Sequence, residues 1–235
     1  MTTSPESGRA VWFLLKQGRE AFDYNMALDE ALLESAPEVG HPVLRFYGWT
    51  EPAASFGYSQ RYADIESVTA LRPLVRRPTG GGLVPHDADW TYSLIFPPRH
   101  FWYRLKAPAS YQRIHEWLRD AFAAMGVPTT LSPSRQKEIP GQCFVGGEKD
   151  DLLWHGRKIA GAAQRRTRSG LLIQGSIQPP PISLSRDRWE NAMCQLAREK
   201  QGVEWRALEL DLKLQNLAAN LRVTKYERQD FNQRR

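Results

Sequence analysis

The apolar positions along this chain change period several times. Residues 11–15 (VWFLL) form a continuous apolar run of strand length. Asp23 then starts a stretch in which Met26, Glu30 and Leu33 recur at helical spacing. Residues 43–47 (VLRFY) read as a strand, GWTEPAAS as a turn or loop, and residues 73–77 (PLVRR) as a lead into PTGGG. A second apolar stretch runs from Thr91 to Phe96 and ends at Pro97-Pro98. Ser110 is the candidate N-cap of a helix with Ile114, Leu118, Ala121, Phe122 and Met125 on one face, and Gly126 falls where a C′ glycine ends it. Residues 151–178 predict a three-stranded meander, DLLW, RKIAGAAQRR and LLIQGSI, turned at His155-Gly156 and at Thr167–Gly170. Helical patterns follow near 186–200 and 208–222. Strands mixed with helices, the late strands linked by hairpins, predict an α+β fold: a mixed, largely antiparallel central sheet flanked by helices, not a doubly wound parallel one.

A length of 235 residues fits a polar tail over 1–10 and one domain over 11–235. Such a domain buries roughly 70–75% of its unfolded surface. No apolar run approaches the roughly 18 residues of a membrane span, and the first residues, MTTSPESGRA, lack the apolar centre of a signal peptide. Two cysteines are too few for a disulfide framework, which points to a reducing cytoplasm. A net charge of +6, from 32 basic and 26 acidic residues, favours acidic partners or serves solubility alone. There is no zinc-ligand spacing and no nucleic-acid motif, so neither a metal nor nucleic acid nor a membrane is expected to bind.

Candidate chemistry gathers in three places. In Arg76-Arg77-Pro78-Thr79-Gly80-Gly81-Gly82 the glycines offer unobstructed backbone N–H groups, and the arginines suit a carboxylate, a phosphate or a polarised carbonyl. The stretch is neither a Walker A loop nor a Rossmann fingerprint, and a plain turn between strands fits it equally well. His86 follows, able to orient that loop, touch a ligand or serve a structural role, and Asp89 is a candidate partner for a loop arginine. Lys158 lies among small residues in a predicted strand, where burial disfavours lysine. Alternation puts Lys158, Ala160 and Ala162 on one face, with Ile159, Gly161 and Ala163 on the other. An edge-strand lysine that discourages aggregation is the alternative. Cys143 sits in the loop IPGQCFVGG, whereas Cys194 falls at a core position of a helix and reads as inert packing. An ammonium beside Cys143 would favour its thiolate and make it a nucleophile.

Taken in order, these pieces resemble the lipoate/biotin protein ligase superfamily. Within it they are most similar to the cysteine-dependent octanoyltransferases that draw on acyl carrier protein. The resemblance rests on NMALDEALL (Asn25–Leu33), LRFYGWTEPAASFGYSQ (Leu44–Gln60), VRRPTGGGLVPHD (Val75–Asp87), GRKIAGAAQRR (Gly156–Arg166) with LLIQGSI, and the terminal KYERQDFNQRR (Lys225–Arg235), where Phe231 replaces the family's tryptophan. It implies a catalytic domain like those of biotin ligases and class II aminoacyl-tRNA synthetases. It also implies Cys143 and Lys158 as the catalytic pair. Arg76, Arg77, Thr79, Gly80, Gly81, Gly82, His86, Gly161, Ala162 and Gln164 are implied to bind substrate, with Ala160, Gly161 and Ala162 lining an acyl slot. The implied partners are octanoyl-acyl carrier protein as donor and lipoyl domains as acceptors, either the glycine cleavage H protein or a 2-oxoacid dehydrogenase E2. No cofactor is needed. Two alternatives share the motifs: an ATP- and Mg-dependent lipoate ligase, and an octanoyl amidotransferase between lipoyl domains. The biotin-ligase motif GRGRxGR is absent. Gly146-Gly147-Glu148-Lys149-Asp150-Asp151 departs from the family, which has Pro-Ser and a Tyr-Glu pair before the lysine strand.

Overall fold

Eight strands make one sheet, in the order β11-β1-β2-β6-β10-β9-β8-β7. The structure is a computed structural model that describes residues 10–134 and 147–234. Along the chain the strands are β1 (Ala10–Glu20), β2 (Val43–Trp49), β3 (Ala53–Phe56), β4 (Leu74–Arg76), β5 (Val84–His86), β6 (Trp90–Phe96), β7 (Thr130–Leu131), β8 (Leu152–Trp154), β9 (Arg157–Thr167), β10 (Gly170–Ile177) and β11 (Val203–Ala207). The helices are α1 (Phe22–Val39), α2 (Tyr62–Val68), α3 (Phe101–Arg104), α4 (Ala107–Ala124), α5 (Arg186–Gln201), α6 (Leu212–Leu221) and α7 (Gln229–Asn232), with a π-helical turn, Arg222–Tyr226, after α6. Strand β1 runs parallel to β11 and β2, and every other pairing in the sheet is antiparallel. A small second sheet, β4-β3-β5, lies beside it. The predicted α+β class and the meander over 151–178 are both present.

Period-2 alternation sorts the central strands onto two faces. Leu44 and Phe46 of β2, and Trp90, Tyr92, Leu94 and Phe96 of β6, join Ile114, Trp117, Leu118, Phe122, Trp189 and Met193 of α4 and α5 in the larger core. Val43, Ile95 and Leu172 face the other way and pack against Leu28, Leu32, Leu33 and Ala36 of α1 and Leu214 and Ala218 of α6. Further along this second face the strands turn polar, with Arg45, Thr91, Ser93, Gln174 and Ser176 buried. Asp29 of α1 gathers them: its carboxylate accepts Arg45 Nη1 at 2.6 Å, Ser93 Oγ at 2.7 Å, Gln174 Nε2 at 2.7 Å and Tyr47 OH at 3.1 Å. A buried ion pair this fully hydrogen-bonded offsets most of its desolvation cost. It also leaves a polar patch in the sheet where a ligand can lie.

Several local expectations change. Ser110 is not an N-cap. Helix α4 starts upstream, with Pro108 in its first turn, where a residue without an N–H fits. Ser110 is buried a turn inside, its hydroxyl bonding to Lys106 O and Ala107 O. Asp23 does not cap α1 either, because the helix begins at Phe22 and the carboxylate binds Tyr24 N–H and Arg222. Within the expected loop GWTEPAAS, β2 extends through Trp49 and β3 begins at Ala53, so only Thr50-Glu51-Pro52 turns. Strand β1 starts at Ala10, inside the expected tail. Gly126 takes a left-handed φ of +82° just after α4, as the sequence predicts. Cys194 is buried in the larger core, and burial pushes its thiol up to about 11, so it stays an unreactive thiol.

Candidate active site

The polar end of the second face opens into a small cleft, part of it open to solvent. Met26, Tyr47, Trp49 and Val84 supply its apolar lining, with Gly81 on one wall and Gly161, Ala162 and Ala163 on the other. Ser55, Arg77, His86, Thr91, Gln174 and Ser176 supply the polar lining.

The glycine loop forms the first wall. Gly81 adopts φ +84°, and a Cβ on Gly57 would overlap the Gly81 carbonyl, so the close approach of these two segments needs glycine on both. Arg77 braces the loop from beneath, donating to Gly80 O at 2.9 Å, Gly82 O at 2.7 Å and Ser55 Oγ at 2.9 Å. Burial pulls its guanidinium down to about 10. Thr79 is fully buried and donates to Gln174 Oε1 at 2.7 Å, which ties the loop to β10. Arg76 departs from the substrate-binding expectation. Its five N–H donors meet the carbonyls of Tyr58, Gln60, Phe231, Asn232 and Arg234. In the strand Leu74–Arg76 its side chain leaves the sheet opposite to that of Val75, which sends it toward the C-terminal segment.

His86 fixes the floor. Its ring stacks on Trp49 at 3.8 Å and lies between Ser55 Oγ (2.6 Å, to Nε2) and Asp89 Oδ2 (2.8 Å, to Nδ1). The Asp89 carboxylate can only accept, so Nδ1–H donates to it, and in the neutral ring Nε2 then accepts the hydroxyl hydrogen of Ser55. The order is that of a serine-hydrolase triad, but Ser55 is 0% exposed, so the string braces the floor rather than attacking a ligand. Asp89 pairs with this histidine, not with a loop arginine as expected, because His86 is only three residues away and in reach.

The second wall is β9. A bulge pairs Leu152 with Ala160 but Leu153 with Lys158, so one residue is left over and the alternation shifts. Lys158 therefore shares a face with Gly161, whose missing side chain makes room for it: a Cβ there would lie 3.2 Å from Lys158 Nζ. The even-numbered face expected for Lys158 is corrected, and with it the acyl-slot role of Ala160, which is 0% exposed in the larger core. Gln164 also points away from the cleft. Its amide holds the start of α4 through Ala107 O at 2.9 Å and Ser110 Oγ at 3.0 Å, because it lies on the opposite side of the strand from Ala163.

One acid that the sequence reading passed over as part of a divergent turn holds the lysine. Asp151 is 0% exposed. Its Oδ2 lies 2.8 Å from Lys158 Nζ and accepts Glu148 N–H at 2.8 Å, while Oδ1 accepts the hydroxyl of Tyr111 on α4. Burial first, then the Asp151 charge, pushes the Tyr111 phenol well up, which keeps it a hydrogen-bond donor. Lys158, its side chain 21% exposed, is thus held beside Gly161, which lines the cleft. The one cue in sequence was an acid seven residues before the lysine, across a hairpin. Cys143 lies outside the described residues.

Comparison with known proteins gives one family from the family model and the curated relatives. Residues 22–179 match the lipoyl protein ligase A/B catalytic domain. Octanoyltransferase LipM of Macrococcus caseolyticus is 36% identical over 179 residues, covering 71% of this chain and 65% of that protein. Octanoyltransferase LipM of Staphylococcus epidermidis is 38% identical over 181 residues, with the same coverage. The matched region thus spans about 65% of the length of these curated relatives. Among solved structures, lipoate-protein ligase A bound with ATP superposes with a TM-score of 0.75 at 20% identity, covering 95% of this chain and 98% of that one. A bipartite lipoate protein ligase of Thermoplasma acidophilum, described with its E2 lipoyl domain, gives 0.72 at 19%, covering 96% of each. At such identities the likeness establishes the fold.

Proposed function

The chain belongs to the lipoyl protein ligase A/B catalytic-domain family, and on that premise we propose that it is an octanoyltransferase of protein lipoylation. The observation that carries this reading is Lys158. Its ammonium is held by a buried carboxylate beside Gly161, in the wall of a cleft whose other wall is a braced glycine loop. Identity of 36–38% to octanoyltransferases supports it.

In the first step Cys143 attacks the carbonyl carbon of an octanoyl thioester, with acyl carrier protein as the donor. A new C–S bond forms, the carrier's C–S bond breaks, and the carrier thiol leaves. Lys158 stabilises the attacking thiolate, and backbone N–H groups of Gly80–Gly82 face the developing oxyanion. In the second step the amine of a lysine on a lipoyl domain attacks the acyl-enzyme. An amide forms and the Cys143 thiol is released. Exchange between thioesters is nearly isoenergetic and the amide is more stable, so neither ATP nor Mg is required. Burying the octanoyl chain against Met26, Trp49 and Val84 contributes about 0.8 kcal/mol per methylene. Lipoyl domains of the H protein or of a dehydrogenase E2 are the acceptors, in a reducing cytoplasm that keeps the thiol free.

The test is a mass measurement. Incubation with octanoyl-acyl carrier protein is expected to add one octanoyl group, and Cys143→Ala to abolish the addition. Retention of the adduct in Cys143→Ala would remove the nucleophile, and lipoate-dependent pyrophosphate release would replace the transferase with a ligase.

A further inference from the structure

Beyond Ala163, the face of β9 that lines the cleft continues to Arg165. This arginine donates to Pro78 O at the root of the glycine loop (3.1 Å) and lies over the ring of Tyr58 at 5.3 Å. The guanidinium of Arg234 covers the same ring at 4.2 Å and the Phe231 ring at 4.5 Å. Two cations therefore share one tyrosine. Among the described residues no carboxylate pairs with either of them. Glu34, whose charge reaches Arg165, is also close to Glu30 and Lys225 and forms no ion pair with it. Among the described residues, Nε and Nη2 of Arg234 are buried without a hydrogen-bond partner. Hydrogen bonding and charge from Arg234, then the charge of Arg165, pull the Tyr58 phenol below its usual value. Like charges gathered without a counter-ion repel one another, and a bound anion with several acceptor oxygens removes that cost.

We propose that Arg165, Arg234 and Tyr58 bind a phosphate group of the acyl donor, remote from the reacting carbonyl. The position along β9 sets that remoteness. Arg165 is seven residues from Lys158, about 20 Å at strand rise. In an acyl-adenylate the phosphate is bonded directly to the acyl group, so it cannot reach this site while the carbonyl is at Lys158. A donor whose phosphate and thioester stand at opposite ends of an extended arm can, and a phosphopantetheine thioester is that class. The inference rests on the transferase reading and adds the part of the donor that the enzyme grips.

The experiment compares octanoyl-phosphopantetheine with octanoyl-pantetheine, which lacks the phosphate, as donors to the full chain. The expected result is a kcat/KM at least tenfold higher for the phosphorylated donor, with Arg165→Gln and Arg234→Gln each narrowing that preference. Calorimetric titration with phosphopantetheine and with pantetheine, neither acylated, reads the same site without turnover and is expected to show tighter binding of the phosphorylated form. AMP distinguishes a nucleotide phosphate, and is expected not to compete. Equal use or equal binding of the two forms, or a preference that survives both substitutions, would overturn the phosphate site and leave the transferase intact. Competition by AMP would overturn the assignment to a pantetheine arm. No adduct from either donor would sink the transferase reading, and the titration would then decide the phosphate site by itself.

Discussion

On the glycine-loop wall, Arg76 and Arg77 reach main-chain carbonyls in several segments at once, whereas on the β9 wall Lys158 pairs with a side chain, the carboxylate of Asp151. The first wall is redundant and built mostly from backbone. The second is built around side chains, Tyr111 to Asp151 to Lys158, with Glu148 N–H also on the Asp151 carboxylate. Loss of a residue from the first wall should therefore register as stability, and loss from the second as rate.

The largest effect is expected from Arg76→Ala. It leaves five carbonyls without their donor and unpins the C-terminal segment from β4. Charged hydrogen bonds of this kind contribute about 1.5–3 kcal/mol each and do not add fully, so a loss on the order of 4 kcal/mol is expected. For a chain of this size that is a fall in Tm of about 8–16 °C. The neighbouring Arg77→Met strips Ser55 Oγ, Gly80 O and Gly82 O of their donor, so it should also lower Tm, by less than Arg76→Ala because three acceptors rather than five are left, while octanoyl transfer falls about tenfold. Thermal denaturation of the two variants side by side measures the difference. Equal Tm losses would mean that the adjacent arginines do the same work.

A second test probes the support behind the β9 wall. His115 is 0% exposed in α4, one turn beyond Tyr111. Its Nδ1–H donates to Tyr111 O at 2.9 Å, and its Nε2 has no partner among the described residues. Burial drives its pKa down from 6.5 to about 4. Between those values the unfolded chain binds a proton that the folded chain excludes. Stability is therefore full above pH 6.5 and falls as the pH drops toward 4, by about 3 kcal/mol at pH 4. His115→Phe should flatten that part of the slope. His100, also lowered to about 4, keeps its own share. Urea unfolding at pH 7, 5.5 and 4 reads the slopes, and identical slopes in wild type and variant would remove His115 from this role.

Much of this contrast was legible beforehand, and the illegible part has physical causes. The meander, the glycine loop and α1 show in the sequence because hairpin turns, a glycine triplet and a periodic apolar helix are local signals. Strand β11 did not, since a five-residue strand is defined by pairing with β1 at the other end of the chain. The shift of Lys158 onto the Gly161 face did not, because alternation presumes a regular strand and the bulge at Ile159 appears only once β8 is paired. Arg76 and Arg77 looked equivalent because composition carries no direction, while the pleat sends them opposite ways. Asp151 showed only as the end of a stretch that departs from the family, since its burial depends on Tyr111, 40 residues earlier.

The smallest and most discriminating effect belongs to Asp151. Asp151→Asn keeps the side chain's size and an oxygen for Tyr111 OH, but turns an amide N–H₂ toward both Lys158 Nζ and Glu148 N–H, two donors that previously met a carboxylate. The ammonium loses its carboxylate partner beside Gly161. A misplacement of that kind costs about 10–100-fold in acylation rate. A positioning role further requires that the pH–rate profile of acylation move, because the thiolate then forms beside a less ordered cation. A merely structural role would lower the amount of folded enzyme and leave the profile in place. Asp151→Glu keeps the charge, and the family pattern has a Tyr-Glu pair just before the strand, so it should restore most of the rate. If Asp151→Asn acylates at the wild-type rate with an unshifted profile, the β9 wall is as redundant as the glycine loop, and the contrast between the two walls fails.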